Sequence, residues 1–196
     1  LPWNFFAGAL NEGMNSIVGN ENLVKKVFFP REILPLSSVI ANLVNFLLSL
    51  PVLFIVILFT GGSLKLVALL LPVIVLIQTT FILVMVLFLS SLTVKFRDIS
   101  HMMGVILQLW FFITPIFYAL ESIGSPIVAK LMRWVNPMAS LIDFYRDILY
   151  GGLSPNPTPG LPALDGIART AVTCIAVLSL GSYIFHRLSS QFGEEL

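Results

Sequence analysis

Charge is scarce in this chain: 11% of its 196 residues are Asp, Glu, Lys or Arg, against 57% hydrophobic, with a mean hydropathy of +0.96. A soluble domain carries about 25% charged residues and needs them to clothe its surface, so a soluble fold is excluded. The net charge of +1 excludes nucleic acid as a partner, because phosphate binding needs a concentrated basic face. Cys174 is the only cysteine, which excludes a disulfide framework or a multi-cysteine metal site within one chain. There is no GxxxxGK[ST] phosphate loop, no HExxH pair and no GxSxG turn, and the only imidazoles are His101 and His186. The chain therefore carries no recognisable catalytic or ATP-hydrolysing site. An initiator Met and a leader peptide are also missing, and we expect the natural N-terminus to lie upstream of Leu1.

Long charge-free runs are what the chain does have: Ile33 to Leu64, Leu66 to Val94, and Ala171 to Phe185. About 20 helical residues cross a hydrocarbon core, so the first two suffice and the third is marginal. The fold class is an all-α polytopic membrane protein forming one transmembrane domain, 1–196. We expect a span over Leu36 to Phe59 running outward and a glycine turn at Thr60 to Lys65. Leu66 to Val94 returns inward, with Pro72 as a place for a bend. His101 to Leu120 runs outward again, where Thr114 and Pro115 can open the backbone ladder, and Asp165 to Arg187 makes the last inward span. The most polar candidate is Trp3 to Asn20, which would cross only inside a bundle. There Ala7, Gly8, Ala9 and Gly13 would permit close helix approach, and Asn11, Glu12 and Asn15 would face protein or an aqueous path. This makes about five spans.

The connecting segments are amphipathic. Glu21 to Pro35 concentrates Lys25, Lys26 and Arg31 with Glu21 and Glu32, and the positive-inside rule places it on the cytoplasmic side. Lys95 to Asp98 forms the second cytoplasmic loop. Glu121 to Leu164 holds two helical patterns too short to cross, Pro126 to Val135 and Pro137 to Tyr150. A proline opens each, and Gly151 and Gly152 follow the second. A re-entrant helix pair in the outer leaflet fits both lengths.

Four segments stand in a fixed order: NENLVKKVFFPREILP at 20–35, VKFRDIS at 94–100, LQLWFFITPIFY at 107–118 and NPMASLIDFYRDILYGG at 136–152. Together they resemble the ABC-2 type permeases of polysaccharide exporters, which move O-antigen, capsular polysaccharide and teichoic acid, over essentially the whole chain. That family has six spans, and LPWNFF at 1–6 resembles the start of its second, so the resemblance implies a surface helix and a first span upstream. It implies a homodimer of permeases in a bacterial inner membrane, working with a separate nucleotide-binding subunit that holds ATP and Mg, on a lipid-linked glycan. No cofactor belongs to this chain.

Residue by residue, the resemblance makes 20–35 a coupling helix seated in the ATPase subunit, a rigid-body link. Leu23, Val27, Phe28 and Phe29 would supply packing there, and Lys25, Lys26, Arg31 and Glu32 polar contacts; an ordinary basic anchor loop is the competing reading. Arg97 and Asp98 either assist coupling or merely cap helices and pair. Segment 121–164, and above all 136–152, resembles the re-entrant pair at the exit of the polymer conduit. Asp143 shares a helical face with Arg146 and Asp147, so mutual neutralisation competes with glycan contact. Trp3, Phe5, Phe6, Trp110, Phe111 and Tyr118 are conduit candidates because aromatic faces suit pyranose C–H faces, against a role as interfacial anchors. Glu12 and Asn15 join them as polar residues within a span. Three other readings stay open: an ABC-2 permease for drugs or small lipids, a lipid-carrier transferase using Asp143, Asp147 or His101, and a non-catalytic membrane scaffold.

Overall fold

Along the first segment, polar or small residues recur at Asn4, Gly8, Asn11, Glu12, Asn15 and Gly19, and steps of three and four put them on one helical face. The computed structural model describes residues 1–26, 30–60, 65–118, 124–149, 151, 159–162, 166–175 and 179. In it this segment is a single helix, α1 (Pro2–Gly19), about 27 Å long. Its other faces bury Trp3, Phe5, Phe6, Ala9, Leu10, Met14 and Ile17. The segment that looked weakest as a span is thus packed into the core of the bundle. Average polarity hid it, because its amides and Glu12 lie on one stripe, while the one other polar side chain within the helix, Ser16, is buried and donates to Gly13 O at 2.7 Å.

A short helix α2 (Glu21–Lys26) follows, then α3 (Ile33–Phe59). A 3-10 turn, Leu66–Leu70, leads into α4 (Leu71–Lys95), α5 (Ile99–Ile113), α6 (Pro126–Val135) and α7 (Pro137–Leu149). An apolar helix α8 (Gly166–Ile175) is the described part of the expected last span, whose remainder, apart from Ser179, lies outside the described residues. Among the described residues there is no strand. Ile33–Phe59 and Leu66–Lys95 are each long and apolar enough to cross a membrane. α1 packs antiparallel to α3 and parallel to α4, as the pairs Phe5–Phe46 and Glu12–Asn42 against Phe6–Phe81 and Gly13–Val86 show, and touches α5 at its first turns, while α7 lies on α4 and α6 on α7.

Two expectations are corrected. Pro72 does not bend a continuous span; it sits in the first turn of α4, where a missing N–H costs nothing, and the 3-10 turn precedes it. The outward span expected to reach Leu120 ends as a helix at Ile113. Thr114 is extended (ψ 133°) as the residue before Pro115, because the proline ring disfavours the helical region there. The proline starts of α6 and α7 stand as read, and Gly151 takes a left-handed φ of 80°, its N–H returning to Arg146 O at 3.0 Å to close α7.

Interlocked aromatic rings hold the core around α1. Phe6 stacks on Phe81 (5.8 Å) and meets Trp110 edge-on (5.2 Å), Trp3 meets Phe111 edge-on (5.5 Å), and Phe5 stacks on Phe46 (5.2 Å). Lipid tails are as apolar as these side chains, so packing, not water exclusion, favours association here; such ring pairs contribute about 0.5–1.5 kcal/mol each. Close approach needs Gly13. A Cβ built there would collide with both γ-carbons of Val86 on α4.

We expect Gly13→Ala to lower the thermal midpoint of the detergent-solubilised protein, by an overpacking cost of about 1–3 kcal/mol, and Val86→Ala to restore part of it. An unchanged midpoint in Gly13→Ala would contradict this α1–α4 packing.

Candidate functional site

The polar stripe of α1 is the face that this chain leaves uncovered: Asn4, Asn11, Glu12 and Asn15 are exposed. Beside it α3 contributes Ser38, Asn42, Asn45 and Ser49, again at helical spacing and all at least partly exposed. Asn42 ties the two together, its Nδ2 donating to Glu12 Oε2 at 2.6 Å and to Ser38 O at 3.0 Å. Asn15 Nδ2 donates back to Asn11 O at 2.8 Å. Near the α7 end of the seam, Leu1, Asn4, Phe5, Asn42, Asn45, Phe46 and Ser49 line an open cleft of about 260 Å³. Carboxamides and a carboxylate midway along spanning helices are costly against lipid, so such a face turns to water, to substrate or to protein.

Elsewhere polar groups close on one another. Gln78 on α4 is fully buried; its Nε2 donates to Pro2 O (2.8 Å), and its Oε1 accepts from Tyr145 OH (2.7 Å), joining α1, α4 and α7. Asn136 caps α7 by accepting from Met138 N (3.1 Å). The same Oδ1 accepts from Trp110 Nε1 (3.0 Å), and its Nδ2 donates to Thr114 Oγ1 (2.9 Å).

Where α5 breaks off, the freed carbonyls are taken by Arg146. Its guanidinium donates to Pro115 O (2.8 Å), Ile116 O (3.2 Å) and Tyr118 O (3.4 Å), and to Asp143 Oδ1 (3.3 Å). Asp143 also faces Arg133, Nε to Oδ2 3.6 Å. Neutralisation of Asp143 by Arg146 is therefore present, but Arg146 does more: it holds the irregular 114–118 segment against α7.

At the opposite end lie the coupling candidates. Leu23, Lys25 and Lys26 are exposed on α2, Arg31 and Glu32 are half-buried at the start of α3, and Arg97 and Asp98 are exposed in the turn before α5. Val27, Phe28 and Phe29 lie outside the described residues. Lys25 Nζ meets Glu21 Oε1 at 2.6 Å. This hydrogen bond, together with the Lys25 charge, holds the Glu21 carboxyl below its ordinary range, and Arg97 pulls the same way. Val24 of α2 packs against the buried Ile17 and Val94, so the first loop sits beside the end of α4 that leads into the second. Asp98 stands at the N-cap of α5 without a side-chain capping bond.

Of the conduit candidates, Glu12 and Asn15 lie on the open seam. Trp3, Phe5 and Phe6 are enclosed, Phe6 completely, in the aromatic core behind it. Trp110 and Phe111 are half-buried. Tyr118 is half-buried too, its OH donating to Ile113 O at 3.0 Å. Sequence reasoning missed Asn4, Asn42, Asn45 and Ser49, although the 4-3-4 spacing of Ser38, Asn42, Asn45 and Ser49 within an otherwise apolar span was there to be read. It also missed Gln78 and Asn136, whose pairing across the fold has no local signature.

Helices without strands among the described residues, two of them long and apolar enough to span, with a polar seam between α1 and α3, define a membrane-embedded helical bundle. The pattern of the ABC-2 type transporter family matches residues 1–150, and the chain belongs to that family. It is 37% identical over 196 residues to an O-antigen export system permease protein, RfbA, of Myxococcus xanthus, covering all of this chain and 73% of that protein. Two proteins of Klebsiella pneumoniae with the same name are each 30% identical over 201 aligned residues, covering all of this chain and 72% of theirs.

Arg146→Lys would keep a charge beside Asp143 but lose the planar fork that reaches several carbonyls. We expect it to destabilise the protein by about 1–3 kcal/mol through orphaned carbonyls, read as a lower thermal midpoint. A midpoint equal to wild type would show that the carbonyl contacts are dispensable.

Proposed function

We propose that this chain is the transmembrane subunit of an ATP-driven exporter in a bacterial cytoplasmic membrane, moving a lipid-linked polysaccharide of the O-antigen kind. It acts as a pair of permease copies with a separate nucleotide-binding subunit that binds ATP and Mg. The α1/α3 seam carries this reading. It aligns uncharged hydrogen-bonding groups, with a single carboxylate, along two helices that must otherwise face apolar surroundings. A hydroxyl-rich polymer can exchange hydrogen bonds along such a row one sugar at a time, and the names of the relatives support a polysaccharide cargo over a drug or a small lipid.

The spans alternate in direction, with α6 and α7 as a re-entrant pair on the outer side. Exposed Leu23, Lys25 and Lys26, with Arg97 of the second loop, belong to the cytoplasmic face on which the ATPase subunit rests, and the likeness of 20–35 to a coupling helix gives Phe28, Phe29 and Arg31 a share in that contact. Two ATPase subunits closing on ATP would push on this surface and move the halves of the bundle as rigid bodies. Glu12 and Asn15 lie on the conduit wall, and Trp3, Phe5 and Phe6 brace it from behind.

The test is co-expression of the full-length permease with a nucleotide-binding subunit. We expect the two to copurify, and the Phe28→Ala, Phe29→Ala, Arg31→Ala triple variant to insert normally yet lose association or coupled ATPase activity. A wild type that captures no ATPase subunit would defeat the exporter reading, and a triple variant that behaves as wild type would defeat the coupling assignment.

A further inference from the structure

We infer that the cleft between Asn4, Asn42, Asn45 and Ser49 is a subsite for one uncharged pyranose ring of the moving polymer; this rests on the exporter reading above. The cleft has unused hydrogen-bonding capacity. Among the described residues, the side chains of Asn4 and Asn45 have no hydrogen-bond partner, although both are exposed. Ser49 donates to Phe46 O at 2.6 Å, which leaves its oxygen free to accept. Ser49 lies ten residues before the end of α3, about 15 Å along the helix, so the α3 side of the cleft stands well inside a long apolar span and not at its end. An amide offers a donor pair and an acceptor on one plane, the complement of adjacent sugar hydroxyls.

Shape and charge narrow the ligand. The volume of about 260 Å³ falls just below the roughly 300–1,000 Å³ of pockets for whole small molecules, which suits one ring of a chain threading past. The stacked Phe5 and Phe46 provide an apolar floor for ring C–H groups. No charged side chain lines the cleft, and the nearest carboxylate, Glu12, is bonded to Asn42. A phosphate or uronate would meet the Glu12 carboxylate behind Asn42 and, among the described side chains of the lining, no cation to offset it. Gly8 keeps the site open, since a Cβ there would lie 2.8 Å from Asn42 Oδ1.

Photo-crosslinking in cells tests this. The full-length permease and its ATPase subunit would be expressed in a permease-deleted host that makes an uncharged hexose homopolymer. p-Benzoylphenylalanine would be placed at Asn45, at Ser49 or, as a lipid-facing control, at Leu48, which is 69% exposed on α3. After irradiation we expect a glycan-reactive ladder on the permease from positions 45 and 49 but not 48. Asn45→Leu should lower the position-49 signal about fivefold, as loss of about one hydrogen bond implies. The same experiment in a host making a phosphodiester-linked polymer should give no ladder. A permease–permease band from position 45 would overturn the subsite and make the seam a contact between copies. Equal ladders from both hosts would overturn the preference for uncharged sugar, and a clean blot in a host that displays surface polymer would overturn the subsite while leaving the exporter reading intact. If the wild type restores no surface polymer, the exporter reading fails and the subsite falls with it.

Discussion

A polar group inside a bilayer has to find its partner in the protein, because the lipid offers none, and the architecture of this chain is organised around that constraint. Gln78 takes the carbonyl at the start of α1 and the hydroxyl of Tyr145. Asn136 serves as cap, acceptor and donor at once. Arg146 covers the carbonyls released where α5 breaks. The serines and threonines within α4 turn back to carbonyls three or four residues earlier, as Thr79, Thr80, Ser90, Ser91 and Thr93 all do. Against this background the α1/α3 seam stands out as the region where amides remain turned outward.

The same constraint explains how α1 can carry a row of polar residues and still pack into the core. Its apolar two-thirds packs ring on ring against α3, α4 and α5, and Gly13 brings the α4 backbone close. The remaining stripe is left for whatever moves past it or packs on it. Function and stability are thereby divided between the faces of one helix: the aromatic face fixes its position, and the polar face keeps its hydrogen-bonding groups available.

Much of this was legible in the sequence. The charge-free runs located α3 and α4 because length and hydropathy are local properties, and the prolines and Gly151 marked the bounds of α6 and α7 through their own backbone chemistry. The 136–152 segment disclosed the Asp143–Arg146 pair, since three residues along a helix bring side chains together. What could not be read depends on distance in the fold. Tyr145 and Gln78 are 67 residues apart, and Trp110 and Asn136 are 26 apart. That Phe5 and Phe6 are largely enclosed could not be read locally either, because their ring partners Phe46 and Phe81 lie on other helices. The end of α5 at Ile113 was half legible: Thr114 and Pro115 announced a break, but only Arg146, from a later helix, makes that break affordable.

The central claim is that the seam faces water or a hydrated substrate in the assembled protein, and cysteine accessibility tests it most directly. In a Cys174→Ala background, single cysteines at Asn4, Asn11 and Asn15 would be compared with Leu10 and Met14 in the core of α1 and Leu48 on the lipid side of α3. They would be treated with a small charged thiol reagent in membranes holding the full-length permease and its ATPase subunit. The account predicts modification at 4, 11 and 15 with protection at 10, 14 and 48, a helical period read out as reactivity. Protection of the whole stripe, or reactivity at Leu48 equal to that at Asn11, would contradict it.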